Sequence, residues 1–177
     1  MVLEVVSNNL NKKEEIIQIA KKVLEPYKSD FLYIDLTTLK FDKKILNLEG
    51  MIEFKNTSYV KRSSEIFNNT EAVIACNQAM YISLICYYLA CTNGIKQDKL
   101  FELLGKMVIR KQVMSFYKPI LRNNSSIFQF ILKIGVKKIT SKGDFFRIVF
   151  SCGNDNNIIV ESSVFIIEQD YHLNYKY

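Results

Sequence analysis

Hydrophobic spacing divides the chain into helical and strand-like stretches. Ile16, Ile17, Ile19, Ala20, Val23 and Leu24 recur with mixed helical periodicity, behind an Asn11–Glu14 pair spaced as a capping box. Pro26 ends that helix, because proline disfavours helical backbone just before it. Phe31 to Phe41 and Ile45 to Lys55 read as two strands. In the second, Leu46, Leu48, Met51 and Phe54 break strict alternation, and Gly50 is the candidate bulge. A polar link, Asn56 to Asn69, leads into a long apolar helix starting near Asn69. Asn68, Asn69 or Thr70 can cap it, Glu71 suits the positive end of its dipole, and Thr92, Asn93 and Gly94 form a stop signal.

After a short helical piece, roughly Lys96 to Leu104, the chain turns to sheet. Lys106 to Tyr117, Ile127 to Thr140, Phe145 to Cys152 and Ile158 to Glu168 are rich in Ile, Val and Phe. Phe128, Phe130, Leu132 and Ile134 alternate with a more polar face. Ser141 to Asp144 and Gly153 to Asn157 have turn composition. The order is helix, two strands, long helix, four strands. A helix apolar on most sides has to be surrounded, and a curved antiparallel sheet can surround it. The expected class is α+β: a hotdog fold, with a long central helix wrapped by the sheet and an extra N-terminal helix.

The 177 residues suit one domain over 1–177. Two Pro and six Gly leave no visible linker. The most apolar run, Ala72 to Cys91, is nearly long enough to span a bilayer. It contains Asn77, Gln78 and Ser83, and we read it as a buried helix, with no membrane span. The N-terminus lacks the features of a signal peptide.

The net charge of +6 is spread over short pairs such as Lys21–Lys22, Arg110–Lys111 and Lys137–Lys138. Such pairs are either solvated surface or a means of attracting an anionic partner. Nucleic acid, a nucleotide phosphate and an acidic carrier protein fit that charge equally well. Cys76, Cys86, Cys91 and Cys152 show no metal or disulfide spacing, so free buried thiols in a reducing, cytoplasmic compartment are expected. The single histidine, His172, near the C-terminus, argues against a metal site or a histidine-based triad. No Walker A or Gly-x-Gly-x-x-Gly pattern occurs, so no cofactor is expected.

What remains is a set of amides around the long helix: Asn68, Asn69, Asn77 and Gln78. An amide inside an apolar helix costs on the order of 1–3 kcal/mol unless its groups find partners. Asn77 is therefore either a satisfied structural amide or an amide facing a substrate carbonyl or water. Asn68 and Asn77 lie roughly 13 Å apart along a helix at 1.5 Å per residue, two points of one elongated cleft. Helix N-terminal amides also suit a developing oxyanion, and Glu71 is either a dipole partner or a possible general base.

At these residues the sequence resembles the FcoT-like thioesterases. The likeness runs through Val23, Leu24, Glu25, Pro26 and Tyr27. Tyr59, Phe67, Asn68, Glu71, Cys76, Asn77 and Gln78 follow in the family's order. Met107 to Lys111 and Phe116 to Pro119 continue it, and Ile66 stands where His commonly precedes the Phe-Asn pair. The resemblance implies a hotdog fold and a catalytic set of Tyr27, Tyr59, Asn68 and Asn77. It implies hydrolysis of fatty acyl-CoA or acyl-carrier-protein thioesters. Alternatives are Michael addition of glycine to a (2E)-enoyl carrier thioester, as in isonitrile lipopeptide pathways, and non-catalytic acyl binding. It further implies a homodimer or higher homo-oligomer and no nucleic-acid partner.

Overall fold

The computed structural model describes residues 10–27, 29–53, 69–91, 95–117, 127–140, 143–153 and 157–167. Helix α1 spans Leu10–Leu24, α2 Asn69–Cys91 and α3 Gln97–Gly105. The strands are β1 Ile34–Asp42, β2 Asn47–Glu53, β3 Met107–Phe116, β4 Ile127–Thr140, β5 Gly143–Cys152 and β6 Ile158–Ile167. They form one antiparallel sheet in the order β1-β2-β4-β5-β6-β3, with β1 and β3 at its edges.

The sheet closes around α2 because α2 has almost no polar side. Ala72, Ala75, Ala79, Met80, Ile82, Leu84 and Ile85 are all fully buried. The helix touches β1, β2, β4, β5 and β6, which requires a sheet curved about it. It is long and apolar enough to cross a membrane by length and composition, yet 72% of that span is buried inside the protein. Period-2 alternation supplies the surrounding wall: Phe130, Leu132 and Ile134 on β4, Phe146, Ile148 and Phe150 on β5, and Val160, Val164 and Ile166 on β6 are buried. Helices α1 and α3 cover α2 from the other side, contributing Ile19, Ala20 and Leu24 from α1 and Leu100, Leu103 and Leu104 from α3.

Two polar side chains on α2 are tied down within this core. Ser83 Oγ donates to the Met80 carbonyl one turn back at 2.8 Å. The Tyr88 hydroxyl donates to Asp144 Oδ2 at 2.6 Å, fixing the C-terminal half of α2 to β5. Such bonds matter because a buried polar group left without a partner costs about 1–3 kcal/mol.

Two sequence expectations are corrected. Asn11 is not the cap of α1, because helical structure already begins at Leu10. Gly50 does mark an irregularity: the register shift lies opposite it, with the extra residues in β1 between Asp35 and Lys40, while β2 pairs without interruption to β4. Gly50 also serves packing, since a Cβ there would meet Leu39 Cδ2 and Phe130 Cε1 at 2.9 Å. Gly143 and Asp144, expected in the turn Ser141–Asp144, belong to β5, and Ser141 and Lys142 lie outside the described residues. Gly143 has φ 141°, a left-handed conformation that favours glycine.

Candidate functional site

Helix α2 changes character along its length. From Ile82 to Tyr88 every residue is buried. In the first half, Val73, Ile74, Asn77 and Tyr81 are only partly covered and Thr70 is exposed. At 3.6 residues per turn these five positions share one sector roughly 100° wide, opposite the buried Ala75, Ala79 and Ile82. Among the described residues, this face of the first half of α2 is partly open, as are Leu89 and Ala90 at its far end.

Asn77 sits in the middle of that stripe and is held from one side. Gln112 of β3 donates from Nε2 to Asn77 Oδ1 at 3.4 Å, and to Ser162 Oγ of β6 at 3.2 Å. Gln112 and Ser162 face each other in the β3–β6 register, and Ser162 is buried. The same Gln112 nitrogen lies 3.8 Å from Cys76 Sγ. The amide oxygen of Asn77 is thus engaged with the protein. Its Nδ2 has no hydrogen bond to any described residue, and Asn77 is only partly buried.

The neighbouring amide does the opposite. Gln78, about 100° further around the helix, is fully buried. Its Oε1 accepts from the backbone N–H of Tyr33 at 3.0 Å and of Ile34 at 3.4 Å. Its Nε2 donates to the Phe31 carbonyl. All of these groups lie at the entry to β1, so Gln78 is a structural bracket.

Tyr27 lies just past α1, where its N–H bonds the Leu24 carbonyl at 2.9 Å. Burial raises its phenol pKa, and the neighbouring Tyr81 raises it further. Burial also raises Tyr81. Both phenols therefore stay protonated at neutral pH and keep an O–H able to donate. Tyr81 is four residues beyond Asn77, on the same helix face, so it links Tyr27 to the Asn77 stripe.

Cys76 adjoins Asn77 in sequence but is no nucleophile. Burial pushes its thiol up to about 12, against the lowering effect of bonds from Ser162 and Gln112. The thiolate, the reactive form, is negligible at neutral pH. Glu71 is buried, with 1% of its surface exposed, about 120° around the helix from Asn77 and on the Gln78 side. Tyr59 and Asn68, with Ile66, lie outside the described residues. Tyr27 thus lies within electrostatic reach of Tyr81, which shares a helix face with Asn77, and Glu71 is turned away from that face.

Three residues of this site escape the sequence reading: Tyr81, Gln112 and Ser162. Each leaves a trace. Tyr81 is spaced i+4 from Asn77. Ser162 interrupts the buried phase Ile158, Val160, Val164 and Ile166 with a hydroxyl. Gln112 is an amide within an apolar-rich strand, directly across from it.

No protein family and no curated protein matches this chain. Solved structures do share its architecture. One is a sigma28-regulated virulence protein from Campylobacter jejuni: 15% identity, 90% of this chain and 94% of that one covered, TM-score 0.52. The PaaI protein from the E. coli phenylacetic acid degradation operon shows 9% identity, 88% and 95% coverage, and TM-score 0.52. A protein from Syntrophus aciditrophicus described as a candidate thioesterase shows 13% identity, 89% and 100% coverage, and TM-score 0.52. At these identities the likeness establishes the fold alone. With the six-stranded antiparallel sheet around α2, the chain has a hotdog fold.

Proposed function

We propose that this chain is an acyl-thioester hydrolase whose catalytic wall is the partly open stripe of α2. The observation that carries the reading is the orientation of Asn77. Its oxygen is engaged by Gln112, so its Nδ2–H faces the stripe, where a carbonyl oxygen gaining negative charge would be stabilised. The acyl chain would lie along Val73 and Ile74. Water would add to the thioester carbonyl, the C–S bond would break, and the thiol would leave with a proton. Tyr27 and Tyr81 would supply hydroxyl donors, and Tyr59 and Asn68 join the set by resemblance to the FcoT-like enzymes.

Two further features support this reading. The structural relative from Syntrophus is described as a candidate thioesterase. Arg110 and Lys111 are exposed on β3 beside Gln112, where the strand is irregular between Ile109 and Lys111. Cations there favour an anionic carrier, the phosphates of coenzyme A or an acidic acyl carrier protein. Cys76, Cys86 and Cys152 are buried and form no disulfide, which suits a cytoplasmic enzyme.

The proposal includes a second copy of the chain. Strand β3 is a ten-residue edge that exposes Val108, Val113 and Phe116, and such an edge needs cover. Pairing there would place the second subunit beside Gln112 and the site. Sedimentation equilibrium should give a dimer or larger; a monomer at micromolar concentration would contradict it.

Hydrolysis is tested by supplying acyl-CoA and acyl-carrier thioesters and following free thiol. Multiple turnover with at least one of them is expected. Tight binding without release would instead identify an acyl-binding protein. A glycine-dependent mass gain on a (2E)-enoyl carrier, without hydrolysis, would identify the amine-addition chemistry.

A further inference from the structure

We infer that Gln112, on edge strand β3, is the positioning residue that sets which way the Asn77 amide faces; this rests on the hydrolase reading above. An asparagine amide is nearly symmetric in shape, and only its partners decide which end faces outward. The Gln112 amide is just as symmetric, and is turned in the structure so that its Nε2, a donor that cannot satisfy another donor, faces Asn77 and Ser162. It therefore selects the Asn77 conformer with Oδ1 turned towards β3, at 3.4 Å, and Nδ2 turned to the open stripe.

Gln112 is itself held for this task. Its Nε2 also donates to Ser162 Oγ at 3.2 Å, and Ser162 is buried directly across the β3–β6 ladder. Both hydrogens of the Gln112 amino group are thereby used, and Cys76 Sγ at 3.8 Å is the weaker third neighbour. Cys76, which immediately precedes Asn77 on α2, has its thiol pKa lowered by both Ser162 and Gln112, though burial outweighs them. A chain of polar contacts thus runs from the sheet to the helix and ends on the amide. Gln112 touches no reacting atom in this account; it acts through Asn77.

The inference separates Gln112 from an ordinary packing residue. Substitution to glutamate keeps the shape and replaces the donor with an acceptor. The new carboxylate draws Asn77 Nδ2 inward and leaves Oδ1 facing the substrate, where it repels a developing oxyanion. Loss of kcat should then be about 10- to 100-fold, with KM changed less than about threefold. Gln112→Met removes the donor without adding charge and should lower kcat about tenfold, which guards against a fold defect peculiar to the acid.

The experiment combines kinetics with nuclear magnetic resonance of the free protein. In the kinetic cycle, Q112E and Q112M are each combined with Asn77→Ala. Once Asn77 is gone neither should cost a further twofold, because residues acting through one another are not additive. In the substrate-free protein, hydrogen exchange of the Asn77 side-chain NH2 should slow at least severalfold in Q112E relative to wild type. Unchanged exchange, or losses that multiply in the double variants, would overturn the positioning role. If no thioester is turned over by the wild type but exchange slows as expected, the hydrolase reading falls and the positioning role stands. If turnover is present and the losses multiply, the reverse holds.

Discussion

Asn77→Ala lowers kcat/KM for acyl-thioester hydrolysis by about 100- to 1,000-fold, the usual loss on removing one donor to a developing oxyanion. The loss should fall on kcat more than on KM, because the donor matters most when charge has built up on the carbonyl oxygen. Stability should change little. Asn77 is only partly buried, and Gln112 keeps its bond to Ser162 when the asparagine is removed. Circular dichroism and urea unfolding serve as the control, with a change below about 1 kcal/mol expected. Wild-type turnover in this variant would remove Asn77 from the mechanism.

The adjacent amide gives the opposite phenotype. Gln78→Ala should destabilise the protein by about 3–5 kcal/mol, because it strands buried polar groups and opens a cavity. The Tyr33 N–H and the Phe31 carbonyl lose their side-chain partner, and the weaker bond from Ile34 goes as well. That is a large part of the 5–15 kcal/mol that usually separates folded from unfolded states. Gln78→Met restores most of the volume but not the hydrogen bonds, so it should recover only part of the loss. The midpoint of urea unfolding reads both variants, and a loss below 1 kcal/mol in Gln78→Ala would contradict the bracket role.

Asn77 and Gln78 also show how far the sequence could be read. Two amides in an apolar helix announce that something polar lies nearby. One residue of helix turns the side chain by about 100°, and that rotation decides which amide ties the fold and which faces the opening. Neither composition nor periodicity records where the sheet stands around the helix. The strands were legible because local alternation encodes them; β4 occupies Ile127–Thr140, as its Phe128-to-Ile134 alternation indicates. The strand order was not legible, since β3 pairs with β6 across more than forty residues. Gln112 reaches Asn77 only because of that long-range pairing. For the same reason the irregularity at Gly50 was legible but its packing role was not, since its missing Cβ accommodates Phe130 from a distant strand. Glu71 read as a helix-end acid with a possible proton-transfer role. Its burial on the Gln78 side follows from its rotational position.

The most direct test is a crystal structure of the protein with a non-hydrolysable acyl-CoA analogue that retains the carbonyl and replaces the thioester sulfur with a methylene. The account predicts the acyl chain along Val73 and Ile74, with the carbonyl oxygen about 3 Å from Asn77 Nδ2, an ordinary hydrogen-bond distance. An analogue bound with its carbonyl away from the Asn77 face of α2 would contradict it.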